Sequence, residues 1–176
     1  MRSISIAAIA IGLCLFTASC RKESPSDASH QSTPCGQFDG ILRRDINGTI
    51  IPMQPDWTDW LTTDDWCPEA ESLFRPVPGL SWAAEDTSAL FAALPNPAQS
   101  QFMFVCVRDS AAYVDVRVVR ENMQVLFQLD SLTEHRLIFD LAGASVAQSE
   151  VIRVYYRIVH PDGTANRGHG DVERAL

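Results

Sequence analysis

The second half of the chain is patterned in short runs. Residues 102–108, 112–120, 123–129, 135–141 and 150–160 are strand-length stretches rich in Val, Ile, Phe and Tyr, separated by polar or glycine-containing breaks. Tyr113-Val114-Asp115-Val116-Arg117-Val118 alternates, which predicts one face on the core and Asp115 and Arg117 turned to water. Gln124 and Gln128 alternate in the same way with Met123, Val125 and Phe127. By contrast, Phe102-Met103-Phe104-Val105-Cys106-Val107 is apolar on both faces. Connections this short join antiparallel neighbours. Upstream, Ile41-Leu42 and Thr49-Ile50-Ile51 flank Asn47-Gly48, the preferred pair of a type I′ turn, and predict a hairpin. The fold class expected is mainly β: an antiparallel β-sandwich of about seven strands, Ig-like or transthyretin-like, with a short helical or loop insert.

That insert is residues 55–97. All four tryptophans, Trp57, Trp60, Trp66 and Trp82, lie within it, and residues 55–94 hold eight carboxylates against Arg75 alone. Asp56 can cap a short helical turn, and Pro68 can open a second that ends before Pro76. A longer helix is expected from Asp86 or Thr87, with Leu90, Phe91 and Leu94 on one face, stopped by Pro95-Asn96-Pro97. His160-Pro161-Asp162-Gly163 reads as a turn. Residues 164–176 have almost no apolar side chains before Leu176 and are expected to form a flexible tail, leaving 35–163 as the single globular domain.

The N-terminal pattern is of another kind. Arg2 precedes an almost unbroken apolar run over 4–16, and the small residues Thr17-Ala18-Ser19 stand directly before Cys20. A charged start, about 13 apolar residues and a small-residue exit make an export signal over 1–19, too short for a membrane span of about 20. The Thr17-Ala18-Ser19-Cys20 junction resembles the lipobox of bacterial lipoproteins, with Thr17 where that family usually has Leu. The resemblance implies cleavage before Cys20, acylation of its sulfur and new amino group, and a lipid anchor in a bacterial membrane. Arg21, where an inner-membrane lipoprotein has Asp, favours the outer membrane facing the periplasm. Residues 21–34 contain no large apolar side chain and cannot offset their ordering entropy, so 20–34 is expected to be a lipidated cysteine and a disordered tether.

Charge narrows the partners. The formal net charge is −8; without Arg2 it becomes −9, with 13 basic residues against 22 acids. That balance argues against nucleic acid and against anionic lipid surfaces, and it fits a basic protein partner. With Cys20 acylated, Cys35, Cys67 and Cys106 remain in an oxidising compartment, enough for one disulfide and one free thiol. Cys35–Cys67 is the expected bridge, with Cys106 a buried small hydrophobe in its apolar run.

Three chemistries compete in the insert. Trp57, Trp60 and Trp66 beside Asp64 and Asp65 suit stacking and hydrogen bonding to a glycan such as peptidoglycan, or anchoring of a protein interface. The plainer expectation is that the tryptophans cover one end of the β core. A hydrolase would need two carboxylates about 5–10 Å apart across a cleft, for which Asp64, Asp65 and Glu69 are the candidates. His160, Asp162, His169 and Asp171 lie within twelve residues but at no recognised metal spacing, and a turn followed by a loose end accounts for them. No nucleophile elbow, phosphate loop, dinucleotide fingerprint or paired-histidine zinc motif occurs. The expectation is a non-catalytic, envelope-anchored protein-binding module without cofactor or metal. Such a module would act as an inhibitor or immunity factor for a cell-wall-acting protein, or as an assembly component of an envelope machine. The alternatives are a glycan-binding module and a hydrolase.

Overall fold

Backbone pairing follows the clustering of β-branched and aromatic residues in the second half of the chain. The computed structural model describes residues 38, 40–52, 56, 58–62, 66–84 and 88–176, all within one compact unit, Ser32–Leu176. The predicted export signal, Cys20, the tether and Cys35 lie outside the described residues. Among those described are one helical turn, α1 (Pro68–Ser72), and eight strands. These are β1 (Ser81–Trp82), β2 (Leu90–Leu94), β3 (Gln101–Val107), β4 (Tyr113–Arg120), β5 (Val125–Leu132), β6 (Arg136–Asp140), β7 (Val151–Val159) and β8 (Thr164–Glu173). They form a five-stranded sheet, β1-β8-β7-β4-β5, and a three-stranded sheet, β2-β3-β6. Every pairing is antiparallel except that of β1 with β8. The molecule is a β-sandwich, as the sequence predicts, and β3 to β7 fall within three residues of their expected positions.

The core lies between the sheets. Val116, Val118, Ile152, Val154 and Tyr156 meet Phe91, Phe102, Phe104 and Phe139 from the facing sheet. Each such side chain contributes about 1.5–3 kcal/mol by leaving water. The early hairpin is present, with Asp45 N–H donating to Thr49 O and Ile51 N–H to Arg43 O. Its turn differs from the expected type I′. Only Gly48 has positive φ, and the Asp45 carboxylate accepts from the N–H groups of both Asn47 and Thr49 at 2.9 Å, so a three-residue loop replaces the two-residue one.

Three expectations are corrected. The segment read as a helix ending at Leu94 carries β2 instead, antiparallel to β3 in the register Leu90↔Val107 to Leu94↔Met103. Five consecutive apolar residues have no decisive period, and pairing with β3 settles the conformation. The supposed tail is β8, ten residues long, between β1 and β7. Asp115 and Arg117 do not face water: both are buried, as is most of the face they share with Arg153, Tyr155, Arg157, His169 and Asp171. Residues 66–84 lie over that face, so Trp66, Cys67, Ala70 and Phe74 make a second apolar cluster with Val119 and Tyr155. The five-stranded sheet is therefore covered on both sides, by the other sheet and by the insert.

Candidate functional site

The insert is built as a cover. Pro68 opens α1, whose Ala70 points inward while Glu69 and Glu71 stay exposed. Beneath it, rings and guanidinium groups alternate. Trp82 stacks on Arg167, which reaches toward Trp66; Trp66 stacks on Phe74 at 4.5 Å; and Phe74 lies 4.8 Å from Arg117 and 5.3 Å from Arg157. The charges are neutralised within the layer. Arg153 pairs bidentately with Asp171 at 2.7 Å, Arg157 with Asp115 at 2.6 Å, and Arg117 with Asp130 at 2.5 Å. Buried guanidinium groups survive because each has a carboxylate and backbone carbonyls to bond, as Arg117 does with Leu73 O and Leu129 O.

Of the residues that the sequence singles out, Trp57, Asp64 and Asp65 lie outside the described residues. Trp60 and Trp66 are each only 7% exposed, so neither offers a ring face to a ligand. Trp60 is wedged over Gly170 and lies parallel to the Tyr156 ring with centroids 6.3 Å apart, while Trp66 Nε1–H donates to Gly168 O. Trp60 holds φ 67°, a left-handed conformation unusual for a bulky residue, fixed by its N–H bond to His169 O at 2.7 Å. Cys67 is held in a disulfide whose other half lies outside the described residues; Cys106 is free and buried, as predicted. Burial pushes the Cys106 thiol up to about 11, against the pull of Arg108, which leaves it inert as a nucleophile at neutral pH.

One strongly perturbed carboxyl is a residue that the sequence did not single out as a site. Asp59 is buried, and its two oxygens accept from Leu42 N–H and Asp171 N–H at 2.8 Å. Burial and the nearby Asp171 carboxylate push its pKa up to about 8 despite those bonds. Burial also raises the Asp171 carboxyl, against the pull of Arg153, so the two carboxyls share one buried site. Asp59 and Asp171 are both buried, and the bonds of Asp59 tie the 59–62 segment to β8, a structural task. An open cleft of about 690 Å³ lies elsewhere, lined in part by Phe38, Arg120, Asn122 and Glu150. There Arg120 is already paired with Glu150 and bonded to Ser145 O, and Glu121 and Ser149 complete the polar lining. The described residues contain no group of three or more metal-ligating side chains. His160 bonds Asn166 at 2.7 Å and His169 faces the Tyr155 ring, far from a shared ligand geometry.

The surface that stands out is the outward face of the three-stranded sheet. Its inward positions fill the core; its outward ones are Leu90, Ala92 and Leu94 on β2, Met103, Val105 and Val107 on β3, and Ile138 on β6, with the polar Gln101, Arg136 and Asp140 at the margins. Ile138 is 71% exposed, Leu90 55% and Val107 47%. An antiparallel sheet with one open face normally places polar residues there. The signal was present in the sequence: the run 102–107 is apolar on both faces, one more than a one-sided core strand needs. The exposed Asp109, Glu134 and Asp140 lie at the ends of these strands, against a single exposed Arg136. Comparison with protein-family models, curated proteins and solved structures finds no match to this chain.

Proposed function

We propose that this chain is a non-catalytic module of the bacterial envelope that binds another protein through the outward face of its three-stranded sheet. The observation that carries the reading is the run of apolar side chains on that face, with Leu90, Val107 and Ile138 the most exposed. Three strands about 4.8 Å apart and five residues at about 3.3 Å each make a face of roughly 250 Å². A stable interface takes about 800 Å² from each partner. The apolar face is thus the centre of the contact, and its rim must contribute the rest. That rim is acidic, as is the chain at net charge −8, so a partner presenting an apolar patch ringed by basic side chains fits. An inhibitor or immunity factor of a basic cell-wall-acting protein, or an assembly component of an envelope machine, has this character.

Anchoring through an acylated Cys20, on the periplasmic side of the outer membrane, belongs to the same proposal, as does pairing of Cys67 with Cys35. Affinity purification of the tagged chain from envelopes tests the binding reading: wild type should retain a protein that Ile138→Asp loses. Recovery of nothing by wild type at either low or high salt counts against it. Mass spectrometry of the purified chain tests the anchor, for which a diacyl or triacyl terminus is expected.

A further inference from the structure

Residues 75–84 cross the open edge of the five-stranded sheet and are exposed along most of their length. They carry one large aromatic side chain, Trp82, the outermost rung of the stack of rings and guanidinium groups. The Arg167 guanidinium lies 4.4 Å from its ring centroid, and Trp66 meets it edge-on at 6.1 Å and 68°. The inner rungs Trp66, Phe74, Arg117 and Arg157 are buried, whereas Trp82 is 47% exposed. One face of the indole is closed by a cation and the ring is held in place, while the rest of it is open to water. Arg167 is itself fixed by Glu71, whose carboxylate is half exposed.

An indole already immobilised by packing loses little further freedom when a ligand stacks on it. Its surroundings select the class of ligand. A second cation on the open face is disfavoured, because Arg167 already draws on the ring quadrupole from the other side. A purely apolar contact would make no use of the half-exposed Glu71 carboxylate, which keeps acceptor sites beyond its bond to Arg167. A neutral pyranose meets both conditions: its axial C–H face covers an indole, and its equatorial hydroxyls bond neighbouring carboxylate oxygens. A carboxylate has about four acceptor sites, of which Arg167 occupies one on Glu71.

We propose that Trp82, with Glu71 and Arg167 beside it, is a stacking site for a neutral carbohydrate built of β-linked hexopyranose or N-acetylhexosamine units. The sequence assigns glycan stacking to Trp57, Trp60 and Trp66, of which Trp60 and Trp66 are buried; among the described tryptophans it is Trp82 whose geometry supports it. The site lies on the opposite side of the sandwich from the apolar sheet face, and either can stand without the other.

Titration of the full chain in detergent with β-1,4-linked tetramers of N-acetylglucosamine and of glucose tests the proposal, read by tryptophan fluorescence and calorimetry. A saturable response with a dissociation constant of about 1 mM or tighter is expected for at least one tetramer. Trp82→Ala should weaken it by about tenfold or more with an unchanged thermal transition, Trp82→Tyr should retain part of it, and Ile138→Asp should leave it intact. No saturation of wild type by either tetramer up to about 10 mM overturns the site. So does undiminished binding by Trp82→Ala, or saturation by an arginine oligomer in place of sugar. Should Trp82→Ala fail to fold, the wild-type and Trp82→Tyr titrations decide: equal affinities overturn the site, and weaker binding by Tyr supports it.

Discussion

Gly168 and Gly170 point from β8 into the sandwich, where the 59–62 segment lies too close for any side chain. A Cβ on Gly168 would overlap the Leu61 carbonyl oxygen and stand 2.7 Å from the Tyr156 hydroxyl; one on Gly170 would enter the Trp60 ring. The obstacle at Gly168 is backbone that is itself tied down by Tyr156 O–H bonding Leu61 O at 2.6 Å, so it cannot yield cheaply. Gly168→Ala should therefore cost about 3 kcal/mol or more, the upper range for overpacking. Gly79→Ala meets no atom within 4 Å and is opposed only by a positive φ of 77°, so a loss of about 1–2 kcal/mol is expected. Urea unfolding of the two variants checks the order; equal losses would refute the steric account. Asp59 gives a second residue-level prediction. Its folded pKa, about 8, lies above an unfolded value of about 3.9, so the folded state binds the extra proton across that window. The stabilising contribution is complete below about pH 4, falls as pH rises toward 8, and is flat beyond. Within that window the loss approaches about 1.4 kcal/mol for each step of one in pH. The charged groups facing this carboxyl are Asp171, with Arg153 and His169 behind it, and Asp56. Asp59→Asn should be less stable at low pH, since an amide cannot accept both N–H bonds, yet should show a shallower decline between pH 5 and pH 8, the remainder belonging to Asp171, which burial also raises. Denaturation midpoints across that range check it, and an unchanged slope would exclude Asp59 as its source.

At the scale of elements, β8 decides whether the five-stranded sheet exists. It joins β7 over nine paired residues and carries β1 on its other edge. Arg153 and Asp171 pair across it, and removing one partner of a buried ion pair costs about 3–5 kcal/mol. A chain ending at Asp162 loses that pair, the seat of Trp60 and the floor under Trp66 together. It is expected to be unfolded or insoluble by circular dichroism and sedimentation, whereas a flexible tail could be removed without effect. The sequence could not display this, because β8 shows none of the usual marks of a buried strand. Its inward positions include Gly168 and Gly170, where room for Trp60 matters more than apolar bulk. Its other face bears the half-buried Arg167 and the buried His169 and Asp171, polar residues that a covering layer takes out of water. Strands β3 to β7 were legible, since Val, Ile, Phe and Tyr recur there with strand spacing. The same covering layer explains why the tryptophans misled: composition marks aromatic rings near carboxylates but not which of them end beneath others. Among the described tryptophans, Trp82, at the end of the stack, keeps part of its ring in water.

For the whole molecule, the two sheets differ in what lies outside them. The five-stranded sheet is closed by the core on one side and by the Trp66–Phe74 cluster on the other, so its charges serve the fold. The three-stranded sheet has a core on one side only, and apolar residues on its open side add nothing to folding that polar ones would not. Ile138, 71% exposed, makes the point quantitatively. Its replacement by Asp removes little buried area and should change stability by no more than about 0.5 kcal/mol, the usual range for an exposed site. At the centre of an apolar contact the same change buries an unpaired carboxylate, and binding should fall by about a hundredfold or more, equivalent to at least ~2.7 kcal/mol. The acidic rim adds a second dependence. Raising salt from 0.05 to 0.5 M shortens the screening length from about 14 to about 4 Å, which should slow association with a basic partner while leaving dissociation nearly unchanged. Surface plasmon resonance with the recovered partner separates the two effects: salt acts on the association rate, and Ile138→Asp on the dissociation rate. A partner whose binding ignores both Ile138→Asp and salt would be using some other surface, and the assignment of this face would fall with it.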